Sequence, residues 1–160
     1  MIKQVEGKEL SDCLAIIRKS FSTVAEDFGL TEENCPTHNT FLKLERLVSE
    51  FGSGDEMYFY YSGDVPCGFC QLKKINDEIY ELKKLAVLPE FRHMGIGSEL
   101  VRFAKDYVAK KGGQKITIGI INESIRLRDW YAEQGFVLTG TRHFDHLPFT
   151  VGFMETELLL

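Results

Sequence analysis

Ile79-Tyr80-Glu81-Leu82-Lys83-Lys84-Leu85-Ala86-Val87, then Leu88-Pro89-Glu90-Phe91, then Arg92-His93-Met94-Gly95-Ile96-Gly97: this stretch decides the fold. The first nine residues are rich in β-branched, aromatic and leucine side chains and read as a strand. Leu88 to Phe91 read as a tight turn. Ser98 to Lys111 carry Leu100, Val101, Phe103, Ala104, Tyr107 and Val108 as one apolar stripe and read as an amphipathic helix. Strand, glycine-containing loop and helix N-terminus together make an anion cradle. Gly95 and Gly97 let backbone approach a ligand closely. The first helical N–H groups lack intrahelical partners, and the helix dipole adds positive charge at that end.

The loop reads R-x-x-G-x-G. It lacks the third glycine of the dinucleotide fingerprint and the Gly-Lys-Ser/Thr of the P-loop. Working outward, Ile2–Val5 reads as a first strand and Lys8–Phe21 as a helix with Leu10, Leu14, Ile17 and Phe21 at helical spacing. The segment from Asp27 to Asn39 is irregular, broken by Gly29 and Pro36. Thr40–Phe51 reads as a second helix. Met57–Tyr61, Val65–Lys74 and Ile79–Val87 read as three strands joined by turns at Ser62-Gly63-Asp64 and Asn76-Asp77. Gly112-Gly113 ends the central helix. Lys115–Ile121 is a strand, Ser124–Gln134 a helix closed by Gly135, and Phe136–Phe144 and Phe149–Leu159 are the last strands. The meander implies antiparallel pairs and the later helices imply crossovers. The expected class is α+β, mixed α/β: one domain over residues 1–160, with about seven strands in one mostly antiparallel mixed sheet and about four flanking helices.

A chain of 160 residues can bury a sizeable core. Its net charge of −5 carries no basic run, so no nucleic-acid partner is expected. The acidic balance mildly favours a cationic or amine substrate. The N-terminus MIKQVEGKEL is too polar for a signal peptide, and no apolar run approaches the roughly 20 residues that span a bilayer. No membrane partner and a cytoplasmic location are the expectations. Cys35-x-x-His38 and Cys67-x-x-Cys70 have zinc-like spacing. Cys67 and Cys70 fall in a strand, however, where residues three apart point to opposite faces and would converge only through a turn at Gly68. Buried or half-buried free thiols are expected for the four cysteines, and no metal.

The loop, the strand before it, the helix after it and the segment Trp130-Tyr131…Gly135-Phe136 together resemble the GNAT superfamily of N-acetyltransferases, from about Ile79 to Phe136, with a weaker match elsewhere. The resemblance implies a sheet splayed at the strand 79–88, where free backbone groups pair with the pantetheine arm of acetyl-CoA. It implies donor contacts from Leu85, Ala86, Val87, Arg92, His93, Met94, Gly95, Ile96, Gly97 and Ser98, with a backbone N–H near Leu85–Val87 polarising the thioester carbonyl. Leu85-Ala86-Val87 breaks period-two alternation, which fits a bulge or a strand buried on both faces. Arg92 is expected to attract the phosphates. Many family members place an asparagine about seven residues before the equivalent of Tyr131. Here Ser124 holds that slot and Asn122 precedes it, and either caps the helix.

For chemistry, the resemblance places Tyr131 beside the donor sulfur as general acid. It offers Glu81 as general base, directly or through water. The residues alone also allow Glu81 to pair with Lys83 or Lys84, and a histidine or water to serve as base. The acceptor side falls to Phe28 to Phe41 and His143 to Phe149, with Phe28, His38, Phe41, His143 and His146 as its candidate contacts. The implied activity is direct acetyl transfer from acetyl-CoA to a primary amine of a small molecule or peptide. A non-catalytic acyl-CoA-binding sensor is the alternative. Family members are often homodimers.

Overall fold

The computed structural model describes residues 1–158. Seven strands form one sheet: β1 (Ile2–Gln4), β2 (Glu56–Ser62), β3 (Val65–Lys74), β4 (Ile79–Val87), β5 (Lys115–Ile121), β6 (Val137–His143) and β7 (Thr150–Glu157). Their spatial order is β1-β2-β3-β4-β5-β7-β6. Every neighbouring pair is antiparallel except β4–β5, which is parallel. The helices are α1 (Leu10–Phe28), α2 (Leu44–Gly52), α3 (Ile96–Lys110) and α4 (Ile125–Glu133). Both the α+β class and the mixed sheet match the expectation. Leu159, which the sequence reading placed in the last strand, lies outside the described residues.

Two apolar clusters sandwich the sheet. α3 and Tyr131 of α4 close one face with Tyr80, Leu82, Leu100, Val101, Ala104 and Ile116. α1 and α2 close the other through Cys13, Ile16, Ile17, Leu47, Phe59 and Phe69. Each large side chain so buried contributes about 1.5–3 kcal/mol relative to exposure. At the opposite margin of the sheet, β6 is exposed along its whole length.

α1 runs seven residues past the expected end at Phe21. Val24, Ala25 and Phe28 continue its apolar stripe onto Leu30, Cys35 and Ile121. Gly29, at φ 62°, stops it in a left-handed turn. α2 starts later than expected. Asn39–Phe41 form a short 3-10 turn in which the His38 ring accepts from the Thr40 N–H, so Phe41 is not on the helix.

Bulges correct the reading of the cysteines. The β2–β3 register slips between Tyr60 and Tyr61, opposite Gly68 and Pro66, and so leaves Cys67 as the extra residue. Cys67 and Cys70 therefore reach the same cluster on the α3 face instead of opposite faces. All four cysteines are free and buried. Among the described residues no group of three His, Cys, Asp or Glu side chains is arranged to hold a metal ion. No described helix is long and apolar enough to cross a membrane.

Candidate active site

β4 positions the site. Its parallel pairing with β5 covers only Ile79–Lys115, Tyr80–Ile116 and Glu81–Thr117, after which the strands diverge. A second bulge acts on the other side, where the β3–β4 register shifts and Lys84 adopts φ 53°. Before it, Tyr80 and Leu82 face α3. After it, Leu85 and Val87 pack on that side, and Ala86 turns to the α1 face. The bulge thus re-aims the strand end, the explanation for the broken alternation in the sequence. Both alternatives offered there are resolved in favour of the bulge.

The splay opens into a cleft of about 1040 Å³ between α1, α3 and α4. Leu88 donates its N–H to the Cys67 carbonyl of β3. Backbone groups alternate sides along a strand, so Val87 and Leu85 direct theirs into the splay and Ala86 does not. Val87 is already occupied: its N–H donates to Ser20 Oγ at 3.1 Å, and the Ser20 hydroxyl donates to the Val87 carbonyl at 3.0 Å. By the same alternation Leu85, which lines the cleft, turns its N–H to the splay. Ala86 is 1% exposed and lies in the α1–α2 cluster, away from the cleft.

The loop after β4 delivers the α3 N-terminus to the same cleft. His93 at φ 63° and Gly95 at φ 81° shape the turn. Gly95, Ile96, Gly97 and Ser98 line the cleft, and the first α3 amides have no intrahelical acceptor. A Cβ on Gly97 would lie 3.0 Å from Trp130 Cζ2, so glycine is required for α3 to pack this closely on α4. Met94 is 68% exposed and does not line the cleft.

Arg92 lines the cleft, and its guanidinium already has protein partners. Its Nε donates to the Val87 carbonyl at 3.2 Å, one Nη to Thr23 Oγ1 at 2.9 Å and the other to the Ser20 carbonyl at 2.7 Å. The guanidinium ties the loop to α1. Burial, and then the nearby charge of Arg126, hold its pKa below the usual arginine value. Arg126, exposed in the first turn of α4, lines the cleft and was not singled out in the sequence.

Tyr131 and Glu81 both line the cleft. Tyr131 is buried, packed edge-on against Trp130 and Phe136. Burial, with a smaller contribution from Cys70, raises its phenol above the usual tyrosine range. Glu81 is half-buried and makes no ion pair or side-chain hydrogen bond among the described residues. Neither Lys83 nor Lys84 pairs with it, because both turn to Glu50 of α2. Ser124 caps α4 by accepting from the Leu127 N–H at 3.3 Å, and it lines the cleft. Asn122 does not line it: its Oδ1 accepts from Arg128 at 3.4 Å.

The acceptor side needs correction. Phe28 lines the cleft, but His38, Phe41, His143 and His146 do not. His38 accepts from the Thr40 N–H through Nδ1 at 3.3 Å and packs between Phe21 and Phe41. Burial lowers its pKa, in keeping with a neutral capping ring. His143 and His146 are exposed beyond the cleft, at the end of β6 and in the following turn. The walls that α1 and α2 do supply include Phe21, Thr23, Val24, Asp27 and Arg46. Their signal in sequence was the continuation of the α1 stripe past Phe21.

A split parallel pair and an N-terminal amide cradle open into one cleft that Glu81 and Tyr131 both line, an arrangement with the parts an acyl transfer needs. Comparison with known proteins agrees. The model of the acetyltransferase (GNAT) family matches residues 20–136, and the chain belongs to that family. An uncharacterized N-acetyltransferase, YvbK of Bacillus subtilis, is 30% identical over 71% of this chain and 77% of its own length. Another, from the pepI 3' region of Lactobacillus delbrueckii subsp. lactis, is 25% identical over 99% of this chain and 94% of its own. The PaiA N-acetyltransferase of Thermoplasma acidophilum, solved with coenzyme A, shares the fold at a TM-score of 0.77, with 20% identity and 98% of each chain covered. The ribosomal-protein-alanine N-acetyltransferase of Brucella melitensis does so at 0.74, with 18% identity and 99% of each chain covered.

Proposed function

We propose that this protein transfers the acetyl group of acetyl-CoA directly to a primary amine of a small molecule or peptide held in the same cleft. One observation carries the reading: the unpaired edge of β4 beyond Glu81 lies in a cleft that also holds Glu81 and Tyr131. The residues fit the donor. The α3 amides of Ile96, Gly97 and Ser98 receive the pyrophosphate, with Arg126 and His93 beside them, and Arg92 holds the loop in place. Leu85 offers its N–H to the thioester carbonyl, where negative charge develops as the amine attacks.

The amine nitrogen forms the new C–N bond as the C–S bond breaks. Glu81, directly or through water, takes the proton from the amine, and Tyr131 gives one to the departing sulfur. Among the described residues no cysteine lines the cleft, so an acyl-cysteine intermediate has no thiol there.

The test is turnover of acetyl-CoA against a panel of amines, with acetylated product read by mass spectrometry, for wild type and Tyr131→Phe. Product from wild type that falls sharply in the variant supports the reading. Tight acetyl-CoA binding without product from any amine would favour a sensor that has kept the cradle and lost transfer.

A further inference from the structure

The acceptor end of the cleft carries an unbalanced set of charges. Glu50 of α2 collects three cations. Its Oε1 accepts from Lys84 Nζ at 2.5 Å, and its Oε2 from Lys83 Nζ at 3.3 Å and Arg46 Nε at 3.4 Å. The buried amide of Gln71 donates to Glu50 at 3.0 Å and to Asp55 at 2.7 Å. Asp55 also lies 3.7 Å from Lys83. Two carboxylates thus face three cations, and the cations are the members that line the cleft. Arg46 is anchored through Nε alone. Its terminal nitrogens have no protein partner among the described residues, and its side chain is 56% exposed. A guanidinium fixed in this way presents its fork to a carboxylate.

Glu81 sits two residues before Lys83 on the same face of β4, about 6–7 Å along the strand. The Lys84 bulge brings a second ammonium to that face. The wall is therefore negative at Glu81 and positive at Arg46 and Lys83. An amine and a carboxylate borne on one carbon, each reached through a hydrogen bond of about 2.8 Å, match this separation. Phe21, Val24 and Phe28 of α1 supply apolar lining to the same cleft. A polyamine would instead drive its second ammonium against Arg46 and Lys83, a like-charge contact that disfavours it. The positive wall runs against the mild preference for cationic substrates that net charge alone suggested.

Resting on the acetyltransferase reading of the same cleft, we propose that the acceptor is a free α-amino acid with an apolar side chain, its carboxylate held by Arg46 and Lys83 and its amine presented to Glu81.

Binding is measured by calorimetry on the CoA-loaded protein with L-phenylalanine, L-leucine and L-methionine, their amides, and spermidine. The proposal expects at least one acid to bind about tenfold or more tightly than its amide, and Arg46→Gln to close that gap. Arg46 is exposed, so the variant folds. Amides or spermidine binding as well as the acids, or no acid binding at all, would overturn it. The same ligands are then incubated with acetyl-CoA and products read by mass spectrometry. Acids that bind without being acetylated leave the recognition standing and remove the transfer reading. Acetylated amides or spermidine without preference for the acids leave the transfer reading standing and remove this one.

Discussion

Ser20 Oγ closes both backbone groups of Val87, accepting from its N–H at 3.1 Å and donating to its carbonyl at 3.0 Å. Ser20 is 5% exposed, so α1 meets the splayed strand through a buried polar contact. Arg92 joins it from the loop side at the Ser20 carbonyl. Ser20→Ala leaves the Val87 N–H without its partner and should cost about 1–3 kcal/mol in urea unfolding. Acetyl-CoA should raise the melting temperature of the variant more than that of wild type, because its pantetheine arm supplies the missing partner. An equal rise in both proteins would show that the arm does not take the Val87 groups.

Tyr131→Phe removes one hydroxyl and leaves the packing against Trp130 and Phe136 intact. kcat should fall by about 10²–10⁴-fold, the range of a general acid, with the KM for acetyl-CoA nearly constant. Burial raises the phenol's pKa, which favours its protonated form. The donor is therefore lost only above the ordinary tyrosine value, and kcat should show no alkaline limb from this residue below about pH 10. A pH profile from 6 to about 10 on both proteins checks this, and an alkaline limb present in wild type but absent in the variant would contradict it.

Glu50 and Lys84 form the most buried ion pair of the molecule's described residues, with side chains 16% and 4% exposed. Burial alone would raise the Glu50 carboxyl. The hydrogen bonds from Lys84 and Gln71 and the charges of Lys84 and Lys83 outweigh it and hold the pKa at about 2. Burial also pushes Lys84 below the usual lysine range, which offsets part of the gain. A carboxyl depressed on folding stabilises above its unfolded value of 4.5 and loses that contribution as pH falls toward 2. Unfolding free energy should accordingly drop by as much as about 3 kcal/mol across that window. Glu50→Gln should flatten the drop, and at pH 7 should cost about 3–5 kcal/mol because Lys84 stays buried and unpaired. Pairing Glu50→Met with Lys84→Met should restore most of it. A double variant as unstable as the single would show that the ion pair itself, not the orphaned charge, carries the effect.

The strand-loop-helix unit was legible because every signal in it is local: apolar run, turn, glycines, stripe. Strand boundaries at Val65–Lys74, Ile79–Val87 and Lys115–Ile121 follow from the same periodicity. Tyr131 and Glu81 were legible through motif spacing and do line the cleft. Contacts between distant residues were not legible. Ser20 meets Val87 across 67 residues, and Lys84 meets Glu50 across 34. Local pattern offers Lys83 and Lys84 to Glu81, two and three residues away, but Glu50 of α2 and Asp55 take Lys83, and the bulge turns Lys84 to Glu50. The histidines misled for a related reason. His38 looks reactive in an irregular loop, and in three dimensions its ring serves as a turn cap against two phenylalanines.

Gly97 and Trp130 give a fluorescence reporter for the donor cradle, since Trp130 is the only tryptophan of the chain. In Gly97→Ala the new methyl would begin 3.0 Å from Trp130 Cζ2 and 3.3 Å from Cη2. Those atoms belong to a large half-buried ring that must give by a few tenths of an ångström. Alanine gains about 1 kcal/mol over glycine inside a helix, which works against the crowding. Stability should therefore stay within about 1 kcal/mol of wild type. The ring, and with it the separation of α3 from α4, should move, read as a shift in the emission maximum. Acetyl-CoA affinity should fall about tenfold, because the α3 amides no longer hold their position against the pyrophosphate, and a drop of that size corresponds to about 1.4 kcal/mol. An unchanged emission spectrum with weakened binding would place the defect in the cradle backbone and not in the ring. Unchanged binding with a shifted spectrum would separate Trp130 from donor recognition altogether.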